Sequence, residues 1–458
     1  MKRPYGFLAL TLFVMLMFWT AASPLGALEL QSAKKRAALE NATTVSHQGG
    51  DYVPGEVLVK FRSNDDTMQT EERMVTLGTE KNSNLKGTGI KHFQLPRGMT
   101  VAESISRIVD DPRVEFAEPN YLFWPTAVPN DPNFGAQWGL HNTGQTVNGQ
   151  AGIPGIDIKA VDAWDISRGN GSIVIAVIDT GADIYHGDIR PNLWVNPGEL
   201  GGGTLNNWTP NGVDDDNNGY VDDIVGWDFN FNVNDPRDLL SGHGTHVSGI
   251  AAAAGNNNAG VTGVAWKARV MPLAVQDYNT GALPTSAIVA ALAYANKMGA
   301  HVINMSFGSN QYSRAMEEAI NQVGGAVMCA AAGNENSNND AVQHYPSNFS
   351  KSNLIAVAAF NQNGAIAGYS NYGASTVDVS APGSNILSTV PGGGFGYLDG
   401  SSMACSFVAG LAALFKAKNG DLGAGQIVST IIQTSVRQEG SPKPIAGGRI
   451  NALAALQG

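Results

Sequence analysis

Apolar runs alternate with segments of helical periodicity along the C-terminal two-thirds of the chain. Residues 173–178 are almost continuously apolar, as in a strand that is buried on both faces of a parallel sheet. Similar runs occupy residues 270–275, 301–305, 326–332 and 354–359, and helical patterns occupy residues 286–298 and 314–323. Because strands that alternate with helices form sheets covered by helices, the pattern predicts a doubly wound, mostly parallel α/β domain. Ligands of such sheets bind beyond the carboxyl ends of the strands.

A smaller unit precedes this domain. Residues 56–61 and 114–117 are strand-like, and residues 101–109 carry an apolar helical face, which together predict a small α+β module. An aromatic, proline-bounded tail ends this module, and the Asn-Asp-Pro-Asn stretch at residues 130–133 then breaks the pattern. We therefore assign residues 28–50 to a linker, residues 51–127 to the small α+β domain and residues 128–458 to the larger domain.

The N-terminus has the pattern of a secretory signal peptide. Lys2 and Arg3 precede an apolar stretch at residues 7–19, and small residues follow at 21–27. The apolar stretch is short for a membrane-spanning helix, although an uncleaved membrane anchor is the alternative. We therefore predict that residues 1–27 are a signal peptide, that the mature protein is secreted, and that it has no membrane partner once the signal is removed.

Composition narrows the classes of function. With 458 residues, the chain is long enough for a large catalytic core and a smaller unit. Its net charge of −11 argues against nucleic acid as a partner, because phosphate binding needs a basic surface. Two cysteines, Cys329 and Cys405, are too few for a disulfide framework. A disulfide between them is conceivable, and buried free thiols are favoured.

Asp179 directly follows the first buried strand, within the tripeptide Asp-Thr-Gly. A carboxylate at this position is either a turn residue or an active-site group. The tripeptide also suits an aspartic protease, which needs two such carboxylates that share a proton. The chain has no second Asp-Thr-Gly or Asp-Ser-Gly, which argues against that class.

Two histidines, His243 and His246, lie at the start of a helical segment rich in small residues. Histidines at this spacing could bind zinc, but the segment lacks the glutamate of the zinc-protease helix motif. One histidine that acts as a general base, beside one that is structural, explains the pair better.

Two further polar residues occupy positions that suit catalysis. Asn334 follows a buried strand and is either a turn former or a donor to an oxyanion. Ser402 begins an apolar helical segment, where a serine is commonly an N-cap. The same position offers unpaired backbone N–H groups and the positive end of the helix dipole, which suit a nucleophile.

Asp179, His243 and Ser402 occur in this order, and a donor amide lies between the histidine and the serine. This order and the local sequences resemble the subtilisin-like serine proteases, or subtilases. The resemblance extends from about residue 130 to the end of the chain. The matching segments are residues 179–181, 243–249, 306–308, 333–334, 400–404 and 448–451.

The resemblance implies a serine endopeptidase that acts on protein or peptide substrates. Ser402 would be the nucleophile, His243 its general base and Asp179 the residue that orients the imidazole. Asn334 and the Ser402 N–H would form the oxyanion hole. An edge that pairs with the substrate backbone and a pocket for the residue before the scissile bond would complete the site. Their residues would be Ser306, Phe307 and Gly308 for the edge, and Ala331, Ala332 and Gly333 for the pocket.

The resemblance also identifies the domain at residues 51–127 as an inhibitory propeptide, an intramolecular partner of the peptidase domain. Its tail at residues 121–125 would lie along the active-site cleft, and we predict self-cleavage between residues 123 and 130. A catalytically silent, peptide-binding relative of the same fold is the alternative, and the intact set of catalytic residues argues against it.

One structural Ca²⁺ site is implied by the family's spacing. Asp188 lies at that spacing after Asp179, and residues 256–261 resemble the loop that completes the family's tight site. Asp188 and Asn257 would supply side-chain oxygens, which are the ligands that Ca²⁺ prefers.

A second Ca²⁺ site is predicted in the acidic stretch at residues 214–223. The stretch begins with Asp-x-Asp-x-Asn-Gly, as a calcium loop does, but Val225 stands where an EF-hand would place its bidentate glutamate. A solvated acidic turn is the alternative. The predicted ligands are Asp214, Asp216, Asn218 and Asp222. Asp222 or Asp223 could substitute for the missing glutamate.

One position departs from the subtilase pattern. The family motif continues from Met403 and Ala404 through one residue to a proline, whereas this chain has Ser406 there. A proline in the first turn of a helix costs little, because its missing N–H would be unpaired anyway. We expect Ser406 to restore that donor and to shift the helix start slightly beneath Ser402.

Overall fold

The computed structural model describes residues 52–62, 81–108, 111–121, 128–200, 209–437 and 441–458. The predicted signal peptide and linker lie outside the described residues, as do residues 122–127 of the predicted processing segment. The chain divides into two compact units, residues 1–123 and residues 124–458.

The described part of the N-terminal unit is an antiparallel sheet with a helix. Its elements are β1 (Tyr52–Phe61), β2 (Lys81–Leu85), β3 (Ile90–Gln94), α1 (Val101–Ile108) and β4 (Val114–Tyr121). The strand order is β2-β3-β1-β4. Val57 and Val59 alternate along β1, are fully buried, and pack in one core with Phe93 and Val101. The strands and the helix expected in this region are confirmed.

The C-terminal unit contains most of the chain's regular structure. Its strands are β5 (Thr146–Val147), β6 (Gln150–Ala151), β7 (Val174–Asp179), β8 (Trp227–Asp228), β9 (Arg269–Ala274), β10 (Val302–Met305), β11 (Val327–Ala331), β12 (Leu354–Phe360), β13 (Val379–Pro382), β14 (Ile386–Val390), β15 (Gly394–Leu398), β16 (Val436–Arg437) and β17 (Gly448–Arg449). Its helices are α2 (Ala160–Ala163), α3 (His243–Ala252), α4 (Thr285–Lys297), α5 (Arg314–Gln322), α6 (Ser401–Lys418), α7 (Ala424–Gln433) and α8 (Ala452–Gln457).

A nine-stranded sheet of order β16-β17-β13-β12-β11-β10-β7-β9-β8 forms the centre of this unit. Its pairs are parallel except for β16–β17, which confirms the mostly parallel sheet. The strands and helices expected from the apolar runs match β7, β9 to β12, α4 and α5 to within one residue at each end.

Helices cover both faces of the sheet. Ile175 and Val177 of β7 pack into the core that contains α3 and α6, whereas Ala176 and Ile178 pack into the core that contains α4 and α5. Because successive side chains of a strand point to opposite faces, β7 is buried along its whole length. This is the doubly wound arrangement that the sequence predicts.

Helix α6 is buried along most of its length. Its residues 401–415 are all buried, and it packs against α3 and strands β10 to β13. Close packing of this kind needs the small residues that the segment contains. Among the helices that the structure describes, none is long and apolar enough to cross a membrane.

Candidate active site

Asp179 and His243 are joined at the carboxyl edge of the sheet. Asp179 ends β7, and His243 begins α3. His243 Nδ1 lies 2.7 Å from Asp179 Oδ1, and the aspartate side chain is 1% exposed. The Thr180 N–H donates to the same carboxylate oxygen at 2.7 Å. The aspartate predicted to orient the imidazole is therefore in contact with it.

Close backbone approach fixes the start of α3 beside Asp179. A Cβ atom on Gly244 would lie 2.0 Å from the Gly181 carbonyl oxygen, so this position requires glycine. The Gly244 N–H donates to Thr180 Oγ1 at 2.8 Å. The glycine of the His-Gly-Thr-His motif thus lets the histidine segment pack on the aspartate segment.

The charge of Asp179 determines the protonation of His243. Burial alone lowers the pKa of the imidazole, but the charge and the hydrogen bond of Asp179, with a smaller contribution from Asp238, raise the pKa above its ordinary value. An imidazolium is therefore stabilised at this position.

Sequence reasoning missed Asp238. Its carboxylate accepts from the Gly242 N–H at 2.9 Å and from the Thr245 N–H at 3.1 Å, so it anchors the first turn of α3. Burial raises its pKa, with the charge of Asp179 as a further cause. An acidic residue a few positions before a helix is a capping signal that could have found it.

Ser402 and Ser306 hold one another across the site. Ser402 Oγ donates to the Ser306 carbonyl at 2.9 Å, and Ser306 Oγ donates to the Ser402 carbonyl at 3.0 Å. The N-cap of α6 is Gly400 rather than Ser402, so the Ser402 hydroxyl does not serve as a helix cap. Since Met305 pairs with Ile178 in the sheet, Ser306 and Asp179 follow neighbouring strand ends. The catalytic candidates therefore lie at the edge where ligands of such sheets bind.

Asn334 faces the amino end of α6. Its Oδ1 accepts from the Ser401 N–H at 2.8 Å. A Cβ atom on Gly400 would lie 3.6 Å from both Asn334 Nδ2 and the Ser402 backbone nitrogen. The Asn334 amide and the Ser402 N–H could thus donate to one acceptor placed next to Gly400.

The predicted substrate-binding residues follow two neighbouring strands. Met305 of β10 pairs with Ala330 of β11, so the segments at 306–308 and 331–333 lie side by side. Ser306, Ala331, Ala332 and Gly333 are buried, Phe307 is half-buried and Gly308 is exposed. The structure brings both segments to the edge that carries Ser402.

His246 is structural. It is fully buried, and its Nε2 lies 3.0 Å from the Ile386 carbonyl and 3.1 Å from the Gly396 carbonyl. Burial lowers its pKa to about 4, so it is a neutral ring that donates to the β14–β15 hairpin. His243 and His246 have separate partners, which agrees with one functional and one structural histidine.

Ser406 is buried, and its Oγ donates to the Ser402 carbonyl at 3.0 Å. Because α6 begins at Ser401, Ser406 is its sixth residue and lies beyond the first turn. The expectation that position 406 lies in the first turn is therefore wrong. A backbone N–H at this depth belongs to the hydrogen-bonding pattern of the helix.

Cys329 and Cys405 are buried free thiols, as favoured. Burial raises the pKa of Cys405 to about 12 and that of Cys329 well above its ordinary value. Neither thiol is therefore an available nucleophile.

Asp188 and Asn257 are brought together as expected. Asn257 Nδ2 donates to Asp188 Oδ1 at 3.1 Å, and the Val261 N–H donates to Asp188 Oδ2 at 2.9 Å. Asp131, which sequence reasoning missed, accepts from the Asn256 N–H at 2.7 Å. Burial raises the pKa of Asp131, and the charge of Asp188 adds to the shift. Two buried carboxylates thus face one loop. Asp131 lies in the Asn-Asp-Pro-Asn stretch, whose pattern predicts a domain boundary and does not by itself indicate a metal ligand.

An acidic cluster forms at the second predicted metal site. Among the described residues it comprises Glu199, Asp214 and Asp216, whose carboxylate oxygens lie within 4.8 Å of one another. Glu199 was missed. Burial raises its pKa, and the nearby carboxylates of Asp223 and Asp216 raise it further. The cluster could hold a metal ion.

Asn218 and Asp222 have other partners. Asn218 Nδ2 donates to Asp223 Oδ2 at 2.9 Å and to Asp216 Oδ2 at 3.2 Å. The Asp222 carboxylate accepts from the backbone N–H groups of Asn211, at 2.7 Å, and Gly212, at 2.8 Å. Asp222 therefore stabilises the loop that begins at Asn211. Glu199, rather than Asp222, completes the cluster with Asp214 and Asp216.

A carboxylate–imidazole pair and a buried serine, both at the carboxyl edge of a parallel sheet, fit the arrangement of a serine hydrolase. Residues 170–448 match the profile of the subtilase family, and residues 38–120 match that of the fervidolysin N-terminal prodomain. The first match covers more than half of the chain. The chain belongs to the subtilase family and is a serine endopeptidase preceded by a prodomain.

Relatives and solved structures agree with this assignment. The chain is 35% identical over 418 residues to a thermophilic serine proteinase of Bacillus sp. strain AK1, covering 90% of each chain. It is 32% identical to the extracellular basic protease of Dichelobacter nodosus, over 81% of this chain and 63% of the relative. A solved protease of Pseudoalteromonas arctica PAMC 21717 superposes with a TM-score of 0.57 at 29% identity, over 72% of this chain and 99% of that one.

Proposed function

We propose that the protein hydrolyses peptide bonds through Ser402, His243 and Asp179. The observation that carries the proposal is the 2.7 Å contact between His243 Nδ1 and Asp179 Oδ1, at the sheet edge where α6 begins. Because an ionised carboxylate accepts and cannot donate, Nδ1 carries the proton in the neutral imidazole. Nε2 then has the lone pair that a general base needs.

Before acyl transfer, the Ser402 side chain rotates. Its hydroxyl leaves its hydrogen bond to the Ser306 carbonyl and donates to His243 Nε2 instead. Nε2 takes the hydroxyl proton as Oγ attacks the carbonyl carbon of the scissile bond. The imidazolium gives this proton to the leaving amine, and water then hydrolyses the acyl-enzyme by the same steps. Asp179 stabilises the imidazolium in both halves of the reaction, which is consistent with the raised pKa of His243.

Asn334 Nδ2 and the Ser402 N–H form the proposed oxyanion hole. Support comes from their equal 3.6 Å distances to the Cβ position of Gly400. The oxygen of the tetrahedral intermediate would accept from both donors while it carries a negative charge. A donor of this kind typically contributes about 10²–10³ to the rate.

The substrate binds in extended form, with its backbone beside residues 306–308. The adjacent ends of β10 and β11 support this, because an exposed strand edge can pair with an added strand. The pocket for the residue before the scissile bond is lined by Ala331, Ala332 and Gly333.

The protein is made as a secreted, self-inhibited precursor. The prodomain match supports an intramolecular inhibitor, and a relative described as extracellular supports secretion. The proposed precursor has four parts: a signal peptide at 1–27, a linker at 28–50, a propeptide domain at 51–127 and a peptidase domain at 128–458. Self-cleavage occurs between residues 123 and 130.

Ca²⁺ stabilises the peptidase domain at two sites. Asp188 and Asn257, with Asp131 close by, supply oxygens at the first, and Glu199, Asp214 and Asp216 supply carboxylates at the second, where the Asn218 side chain supports Asp216. Oxygen donors without nitrogen or sulfur ligands favour a hard cation. Burial, with repulsion from nearby carboxylates, raises the pKa of Asp131 and of Glu199, and a bound cation would offset both effects.

Expression of the full chain and of Ser402→Ala tests the proposal. The wild-type chain should lose its propeptide and hydrolyse a peptide substrate, whereas Ser402→Ala should remain a full-length, inactive precursor. A Ser402→Ala chain that matured by itself would contradict self-processing. A wild type that matured and bound peptides without hydrolysing them would favour the silent alternative.

A further inference from the structure

His344 lies between residues 306–308, proposed to pair with the substrate backbone, and residues 331–333, proposed to line the pocket for the residue before the scissile bond. A Cβ atom on Gly308 would come within 1.9 Å of His344 Cε1. A Cβ atom on Gly333 would lie 2.9 Å from His344 Nε2. The imidazole therefore packs on the glycines of both segments and fills the space between them.

The backbone of His344 is anchored by two hydrogen bonds, and its ring is buried beside the Ser347 hydroxyl. The His344 N–H donates to Asn348 Oδ1 at 3.0 Å, and Ser347 Oγ donates to the His344 carbonyl at 2.8 Å. The ring Nδ1 lies 3.4 Å from the same hydroxyl. The His344 side chain is 4% exposed. A substrate side chain that needed the space of the ring would have to displace it from its packing on Gly308 and Gly333.

Glu335 and Asn371 close a further side of the same space. Asn371 Nδ2 donates to Glu335 Oε2 at 2.8 Å, and these two atoms would lie 2.3 Å and 2.6 Å from a Cβ atom on Gly333. Glu335 Oε2 is 4.0 Å from His344 Nε2. The room that the glycines leave is thus occupied by polar side chains of this chain.

The ring acts as an uncharged filler near neutral pH. Burial lowers the pKa of His344, although the charge of Glu335 acts in the opposite direction. A neutral imidazole packed between two backbone segments limits the depth of the pocket without offering a charge to a substrate.

We propose that His344 is a specificity-determining residue that restricts the residue before the scissile bond to small side chains such as alanine. This inference rests on the proposed peptidase function and on the proposed pocket. A phenylalanine side chain at this substrate position would have to displace the imidazole, whereas an alanine methyl group would not.

The experiment compares matured wild type, His344→Ala and His344→Ser on peptide p-nitroanilides that differ at the residue before the scissile bond, which is Ala, Leu or Phe. Each kcat/KM is normalised to active sites titrated with a fluorophosphonate. Wild type should favour Ala over Phe by about tenfold or more, and both variants should shift this ratio towards Phe by a similar factor, as expected when a pocket gains room. His301→Ala is the matched control, because His301 lies at the amino end of β10 and should leave the ratio unchanged.

A wild type that cleaves the Phe substrate as fast as the Ala substrate would overturn the inference. So would an unchanged ratio in titrated His344→Ala. If His344→Ala fails to fold, His344→Ser and His344→Asn decide by the same ratio. A matured wild type without titratable sites would contradict the proposed function itself, so the two failures are distinguishable.

Discussion

His243 Nδ1 and Asp179 Oδ1 lie 2.7 Å apart, and the Asp179 side chain is 1% exposed. The carboxylate therefore acts on the imidazole with little screening by solvent. It raises the pKa of His243 against the opposite effect of burial. The consequences of this contact extend to the pH dependence of the enzyme.

Activity should rise with pH through a pKa above the ordinary histidine value of about 6.5. The sign follows because a raised pKa keeps His243 protonated to higher pH, and a general base must be neutral. Asp179→Asn removes the charge and leaves burial, so the pKa of His243 should fall. The profile of kcat/KM against pH, with exposed Asp421→Asn as control, measures both values. An unchanged profile in Asp179→Asn would contradict the assignment.

Asp179→Asn should also lower kcat by about 10⁴. The amide can hold the ring in the wrong tautomer, with the proton on Nε2, and it cannot stabilise an imidazolium. Thermal unfolding of the variant should show an intact fold. Wild-type kcat in a folded Asp179→Asn protein would remove Asp179 from the mechanism.

Asn334→Ala should reduce kcat by about 10²–10³ with a small change in KM, because the lost donor acts on the transition state. The expected position of Nδ2 beside the Ser402 N–H is the physical reason. Exposed Asn321→Ala in α5 is the matched control. A loss confined to KM would place Asn334 in ground-state binding instead.

Removal of Ca²⁺ by a chelator should lower the melting temperature by several degrees, since a ligand present at about 100 times its Kd stabilises the fold by about 2.7 kcal/mol. Glu199→Gln should be less stable than wild type with Ca²⁺ present. With chelator it should be at least as stable, because the amide avoids both the burial of a charge and the repulsion from Asp223 and Asp216, which together raise the pKa of Glu199. Asp188→Asn should weaken the other proposed Ca²⁺ site, so the chelator should lower the melting temperature of this variant less than that of wild type.

This reversal of rank separates a metal ligand from a residue that merely supports the loop. Exposed Glu318→Gln is the control and should show no reversal. A wild type whose melting temperature ignores the chelator would remove both Ca²⁺ sites.

Ser406→Ala should cost about 1 kcal/mol of stability through the lost hydrogen bond to the Ser402 carbonyl. Ser406→Pro should cost more and slow acylation, because it also removes an N–H within α6 and crowds the preceding turn beneath the nucleophile. Single-turnover acylation rates of the two variants measure the difference. Identical rates in wild type and Ser406→Pro would make this departure from the family pattern irrelevant to catalysis.

The sequence predicts Asp179, His243, Asn334 and Ser402 as site residues because each lies in a short segment with an informative local pattern. The sheet was predictable for a similar reason, since strands buried on both faces read as apolar runs such as that of β7. The local sequence pattern predicts the role of a residue where the residue's own segment determines its surroundings.

Residues whose role depends on distant segments were missed. Glu199 accepts a hydrogen bond from the Asp216 N–H, 17 positions later in the chain. Asp131 accepts one from the Asn256 N–H, 125 positions later. His344 has no motif of its own and gains its role from packing on Gly308 and Gly333. Such contacts arise from tertiary structure, which spacing along one sequence does not encode.

Covalent labelling by a fluorophosphonate, with the modified residue located by mass spectrometry, tests the central proposal most directly. The account predicts that matured wild type is labelled stoichiometrically on Ser402, and that Ser402→Ala is not labelled. Properly matured wild type that resists the reagent, or labelling that persists in Ser402→Ala, would contradict it.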